Sequence, residues 1–243
     1  NIAYTAFTVL ASIATSLGSA LFPYYGMAYG KGDHKAITIG IRRASRYTML
    51  IIFPLALGLA ATARPVITLF AGQQYAPGWP ILAILSTFGL VYGVLPALSN
   101  LLLIYGRTKT ILALSLVPVA SSLTLLPLLW TLKLGGLALM RGASISLNFL
   151  LILYFISKIT RVEVDTTVML KTLASSIFTA LIVLAIQTIL YSPILLPLYT
   201  IVGAITYIIA VRTLKILNKE DAQLIQQITG KAFSKYITQI LGL

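Results

Sequence analysis

The stretch from Leu21 to Tyr75 reads LFPYYGMAYG-KGDHKAITIG-IRRASRYTML-IIFPLALGLA-ATARPVITLF-AGQQY. Leu21-Phe22-Pro23 closes one apolar run, and Gly32-Asp33 marks a turn. Lys31, Lys35, Arg42, Arg43 and Arg46 make the next segment basic. A second apolar run then carries Pro54 and Gly58 and ends at Gly72 and Tyr75. Two apolar runs of membrane-spanning length around a positive linker predict a transmembrane hairpin whose turn faces the cytoplasm.

The rest of the chain has the same character. Of 243 residues, 58% are hydrophobic and 9% charged, and the mean hydropathy is +0.96. Soluble domains carry about 25% charged residues, so this chain cannot clothe a water-facing surface. Backbone groups in lipid must be bonded within helices or a closed barrel. The apolar runs are close to span length and do not alternate, so the expected fold class is all-α, a polytopic transmembrane helix bundle. The net charge of +13 is not a nucleic-acid footprint, because the charges sit at the ends of apolar runs. With no cysteine, disulfides and thiolate metal sites are excluded; no metal or other cofactor is expected. The first residue is Asn1, and no basic segment precedes the first run. No signal peptide is therefore expected, and the chain reads as the rear portion of something longer.

About seven spans are expected, roughly at 3–29, 48–70, 80–105, 110–132, 137–157, 170–191 and 194–215. Pro23, Pro54, Pro96 and Pro118 fall inside them. Membrane helices tolerate such prolines as kinks when neighbouring groups satisfy the freed carbonyls. Fifteen of the 18 basic residues fall in linker 31–47, turn 106–109, segment 158–171 and the end of the chain from Arg212 onward. That bias predicts a cell-membrane protein with Asn1 outside and Leu243 in the cytoplasm. The expected division is a helical bundle over 1–217 and a cytoplasmic amphipathic tail over 218–243. In the tail, Leu224, Ile228, Phe233, Ile237 and Ile240 recur at helical spacing. Segment 35–46 has the same pattern, and both are expected to lie on anionic lipid headgroups.

Asp33, Glu163, Asp165, Glu220 and Asp221 all lie outside the expected spans, which argues against acid–base catalysis; no catalytic residue is assigned. His34 is read as a solvated linker side chain. Arg64 and Arg141 stand inside apolar stretches towards the outer face with no acid near in sequence. Either they snorkel to the interface, or they line a hydrophilic cavity and meet an anionic group, for which a guanidinium fork is suited. Arg141, Ser144 and Asn148 are spaced three and four apart and share a helix face. They read equally as helix–helix glue or as a cavity wall, so Arg141, Ser144, Asn148 and Arg64 are the candidate substrate-binding residues. Thr5, Thr8, Ser12, Thr15 and Ser19 form a similar stripe on the first span, more in keeping with close packing. Ser99-Asn100 and Gln187 are weaker single polar positions, and Tyr75 and Trp79 read as interfacial anchors.

With these residues in view, the chain resembles the polysaccharide-exporter branch of the multidrug/oligosaccharidyl-lipid/polysaccharide superfamily. The matching features are Leu21-Phe22-Pro23, Gly32-Asp33 with Arg42, Arg43 and Arg46, and Pro54 with Gly58. The run from Pro65 to Gly72 ending at Tyr75, then Gly106-Arg107 and Gly135-Gly136, continue the likeness. The resemblance implies the C-terminal lobe of a two-lobed flippase for polyprenyl-phosphate-linked oligosaccharide, working by alternating access. It implies a transporter and not an enzyme, with the N-terminal lobe missing from this chain. Arg141 departs from the small or apolar residue expected after Gly136-Leu137-Ala138, so it inherits no family role. A multidrug exporter of the same superfamily, a membrane-embedded lipid glycosyltransferase or prenyltransferase, and a structural membrane subunit are the alternative readings.

Overall fold

The computed structural model describes residues 2–125, 128–217 and 221, and the side chains of these apart from 128–134. Among the described residues the chain is all helix and turn. The first pass is α1 (Ile2–Ala20) and α2 (Phe22–Gly30), the second α3 (His34–Ala61) and α4 (Ala63–Ala71), the third α5 (Trp79–Tyr92) and α6 (Leu95–Ile104). Then follow α7 (Thr108–Thr124), α8 (Leu128–Ser157), α9 (Thr166–Ile189) and α10 (Leu196–Thr213). Among the described residues six helical stretches are long and apolar enough to cross a membrane, and α7 is a shorter apolar helix of 17 residues. The expected count is about seven; with α7 added to these six, the described residues hold seven apolar helical stretches, α6 being counted in the third pass.

The turn that decides the first hairpin is short. Gly32 takes a φ of +67°, which lets the Asp33 N–H reach back to the Ala28 carbonyl at 3.0 Å and close α2. Asp33 then caps α3, its Oδ1 accepting from the Ala36 N–H at 2.9 Å. The basic segment expected as a linker is therefore the opening of α3 itself. Segment 35–46 is not a separate interfacial helix. Its apolar side, Ile37, Ile41 and Ala44, is buried in the core, and that burial draws it into one helix with the span.

A second boundary also moves. Helix α7 ends at Thr124 and α8 begins at Leu128, so the break expected between 132 and 137 is not found there, and Lys133, Gly135 and Gly136 fall within α8. Glycine pairs are tolerated inside membrane helices, where lipid leaves the backbone no other way to bond. The amphipathic pattern expected over 218–243 lies outside the described residues, Asp221 excepted.

Helix α3 packs chiefly on α9 and α5, α5 on α8 and α1, α7 on α8, and α10 on α9. One core cluster joins Tyr25, Ile41, Leu98, Leu102, Ile152 and Ile156, and a second joins Phe7, Leu10, Ile52, Leu85 and Ala138. Helices α1 and α6 meet backbone to backbone: a Cβ on Gly18 would stand 2.8 Å from the Ala97 nitrogen. Asn100 seals that contact, its Nδ2 donating to the Gly18 carbonyl at 3.0 Å.

Candidate functional site

Arg141 is exposed on α8. Its Nη2 donates to the Tyr4 hydroxyl at 3.0 Å, and the guanidinium carbon stands 5.0 Å from the centre of the Tyr4 ring. Tyr4 falls in register with Thr8, Ser12, Thr15 and Ser19, so one face of α1 carries a tyrosine and four hydroxyls in line. Ser12, Thr15 and Ser19 are exposed and Thr8 half-buried. The hydroxyls of Thr8, Ser12 and Thr15 donate to carbonyls of their own helix, which leaves their oxygens free to accept. The stripe expected to pack thus faces outward, with a cation held at one end.

Ser144 and Asn148 turn towards α7 instead. Ser144 is buried and accepts from the Ser121 hydroxyl at 2.7 Å. Asn148 Nδ2 donates to the Leu114 carbonyl at 3.1 Å. Leu114 lies four residues before Pro118, whose missing N–H frees that carbonyl. Asn148 supplies the lost donor, so its geometry is that of a bond between helices. Arg64 is exposed on α4 with its guanidinium 4.6 Å from the Tyr191 ring centre.

Two sets of residues were not legible as a site. Arg46 Nη2 donates to Asp221 at 2.6 Å and to the Ile216 carbonyl at 3.0 Å, and the Tyr47 hydroxyl donates to Asp221 at 2.7 Å. Four residues earlier, Arg42 meets Asp165 at 3.3 Å. The Asp165 carboxyl is held below its ordinary pKa, first by the Val168 N–H it accepts and then by Arg42 and Arg46. The basic ridge of α3 therefore binds both the α8–α9 connection and the segment after α10.

The other set lines a groove of about 530 Å³ between α3, α9 and α10, walled by Pro54, Gly58, Val183, Gly203 and Ala204 among others. Its hydroxyls, from Thr62, Thr179, Tyr199, Thr200 and Tyr207, each donate to a backbone carbonyl. The groove is apolar through the residues that line it, and its hydroxyls, like those of α1, keep only the capacity to accept. A Cβ placed on Gly58 would meet nothing within 4 Å.

Apolar passes, proline bends bonded from neighbouring helices and an outward polar face define a multi-pass membrane helix bundle. The comparisons narrow the class. A family described as "Polysaccharide biosynthesis protein" matches residues 1–80. An uncharacterized membrane protein of Methanocaldococcus jannaschii is 30% identical over 92 residues, 38% of this chain and 18% of that protein. Among solved structures, the lipid II flippase MurJ in an inward closed conformation aligns with a TM-score of 0.69 at 16% identity, over 85% of this chain and 43% of that one. The chain spans less than half the length of the proteins it matches. The sequence match covers the first third of the chain, where Leu21-Phe22-Pro23 and Gly32-Asp33 lie, and the likeness to the solved structure is one of fold over most of its length.

Proposed function

We propose that this chain is one lobe of a flippase for polyprenyl-phosphate-linked oligosaccharide, acting by movement and not by catalysis. The observation that carries the reading is the exposed Arg141–Tyr4 pair at the end of the hydroxyl face of α1. A cation and a row of hydroxyls are costly against lipid and belong against a water-filled cavity or a second lobe. Arg141 is suited to a phosphate of the headgroup and the hydroxyls of α1 to a glycan. Ser144, Asn148 and Arg64 bear on the site less directly, through α7 and through Tyr191. The groove between α3, α9 and α10 suits the hydrocarbon tail. A second, N-terminal lobe would close the cavity, and rocking of the two lobes would expose it to each leaflet in turn.

In this reading residues 1–217 form the bundle and 218–243 a cytoplasmic tail, tied to α3 through Asp221 near its start and held beyond that by anionic headgroups. Asn1 is outside and Leu243 inside, following the basic residues. The test is complementation of a flippase-deficient strain by the natural full-length protein carrying Gly58→Leu. A Cβ at this position meets nothing within 4 Å, and Gly58 lines the groove. Normal membrane levels with lost complementation support the reading. Full complementation at wild-type levels removes the tail from this groove.

A further inference from the structure

Three of the ten prolines of this chain are matched to side-chain donors on other helices. Leu50, Ala61 and Leu114 lie four residues before Pro54, Pro65 and Pro118. A proline has no N–H, so the Leu50 and Leu114 carbonyls lose their partner within the helix; that of Ala61, the last residue of α3, is left open at the break before Pro65, and lipid offers no replacement. Each receives a side-chain donor from elsewhere. The Tyr207 hydroxyl of α10 donates to Leu50 at 2.8 Å, Gln187 Nε2 of α9 to Ala61 at 3.0 Å, and Asn148 Nδ2 of α8 to Leu114 at 3.1 Å.

Two of the three act on one pass. Pro54 lies within α3, and Pro65 sits in the first turn of α4 just beyond the break at Thr62. Their freed carbonyls are 11 residues apart in sequence, and both donors come from the α9–α10 pair. Between the two prolines stand Gly58 and Thr62, facing the groove that separates this pass from α10. The middle of the pass therefore touches open space, while each end of that section is held by one hydrogen bond.

We propose that α9 and α10 are a clamp on a twice-hinged helix, with Tyr207 capping the hinge at Pro54 and Gln187 the hinge at Pro65. With both caps in place α3–α4 keeps a single bend and moves together with α9 and α10. Removing a cap frees its hinge, because the orphaned carbonyl then gains nothing from the closed geometry. This goes beyond the flippase reading and holds whatever the cargo is.

The test uses the fact that a proline creates the need for its cap. In Pro54→Ala the new N–H bonds the Leu50 carbonyl, and the Tyr207 hydroxyl becomes redundant. The intact protein, reconstituted in lipid nanodiscs, is read by hydrogen exchange over residues 51–58. It is also read by the distance distribution between spin labels on Ile39→Cys and Phe70→Cys, on either side of the hinges in a chain with no native cysteine. Tyr207→Phe is expected to speed exchange roughly tenfold or more and to broaden the distribution. In the Pro54→Ala background it is expected to change neither. Gln187→Leu with Pro65→Ala is expected to repeat the pattern. No change from Tyr207→Phe while Pro54 is present, or an equal change in the Pro54→Ala background, overturns the proposal. If Tyr207→Phe alone does not accumulate in the membrane, recovery by Pro54→Ala supports the clamp and lack of recovery refutes it.

Discussion

Arg141 and Tyr4, 137 residues apart in the chain, meet at 3.0 Å, the guanidinium of α8 donating to the phenol oxygen of α1. The tyrosine aims the cation without neutralising it. Arg141→Lys keeps the charge but loses the planar fork. Lost charge-assisted contacts of this kind cost about 1.5–3 kcal/mol, so a ten- to hundredfold fall in flipping is expected, with Tyr4→Phe showing a smaller loss. Complementation at matched membrane levels measures both. Full activity of Arg141→Lys leaves Arg141 as a snorkelling anchor.

Arg64 sets the contrast. Its cation lies over the Tyr191 ring, a contact that lysine also makes. In the same assay Arg64→Lys is expected to retain nearly full activity. A deficit equal to that of Arg141→Lys contradicts the division of roles between the two arginines.

Asn148 bonds a carbonyl that Pro118 frees, so the two substitutions are coupled. Asn148→Leu is expected to destabilise the protein by about 1–3 kcal/mol beside Pro118 and by much less in the Pro118→Ala background. Unfolding in detergent over the four variants yields the coupling energy directly. Equal losses in the two backgrounds place Asn148 outside the helix–helix contact described here.

Asp221 is 3% exposed in its side chain, and Arg46 is 13% exposed. Stopping the chain after residue 217 removes a buried partner and leaves Arg46 and Tyr47 without the carboxylate they share. A loss of about 3 kcal/mol is expected, whereas stopping after residue 221 keeps the pair. Thermal unfolding of the two truncations in detergent separates them. Identical midpoints show that Asp221 contributes nothing to the bundle.

The Asp165 carboxyl, with its pKa lowered in the folded state, stabilises the protein fully above the unfolded carboxylate range. That contribution fades as pH falls through the folded value. Asn keeps the cap on α9 but not the charge beside Arg42, so Asp165→Asn is expected to cost about 1 kcal/mol or less at pH 7. The difference from the unaltered protein should vanish in acid. Unfolding midpoints from neutral to acidic pH check the sign; a gap that widens in acid is inconsistent with it.

What is decided locally was legible in the chain. Apolar length set the passes and Gly32-Asp33 set the first turn; the spacing of Ile37, Ile41 and Ala44 showed an apolar side, read as lying at the membrane interface, which packing buries in the core. The prolines also announced which carbonyls lose a donor, since that follows from position alone. Nothing local says which side chain replaces the donor. Tyr207 reaches Leu50, Gln187 reaches Ala61, and Asn148 reaches Leu114 across 157, 126 and 34 residues of sequence. Only packing brings such pairs within hydrogen-bonding distance. The same holds for the polar residues read as one face of α8. Helical spacing grouped Arg141, Ser144 and Asn148, but which neighbour lies against each part of a helix is a property of the bundle. Here α7 takes Ser144 and Asn148 for structure, and α1 supplies Tyr4 to Arg141.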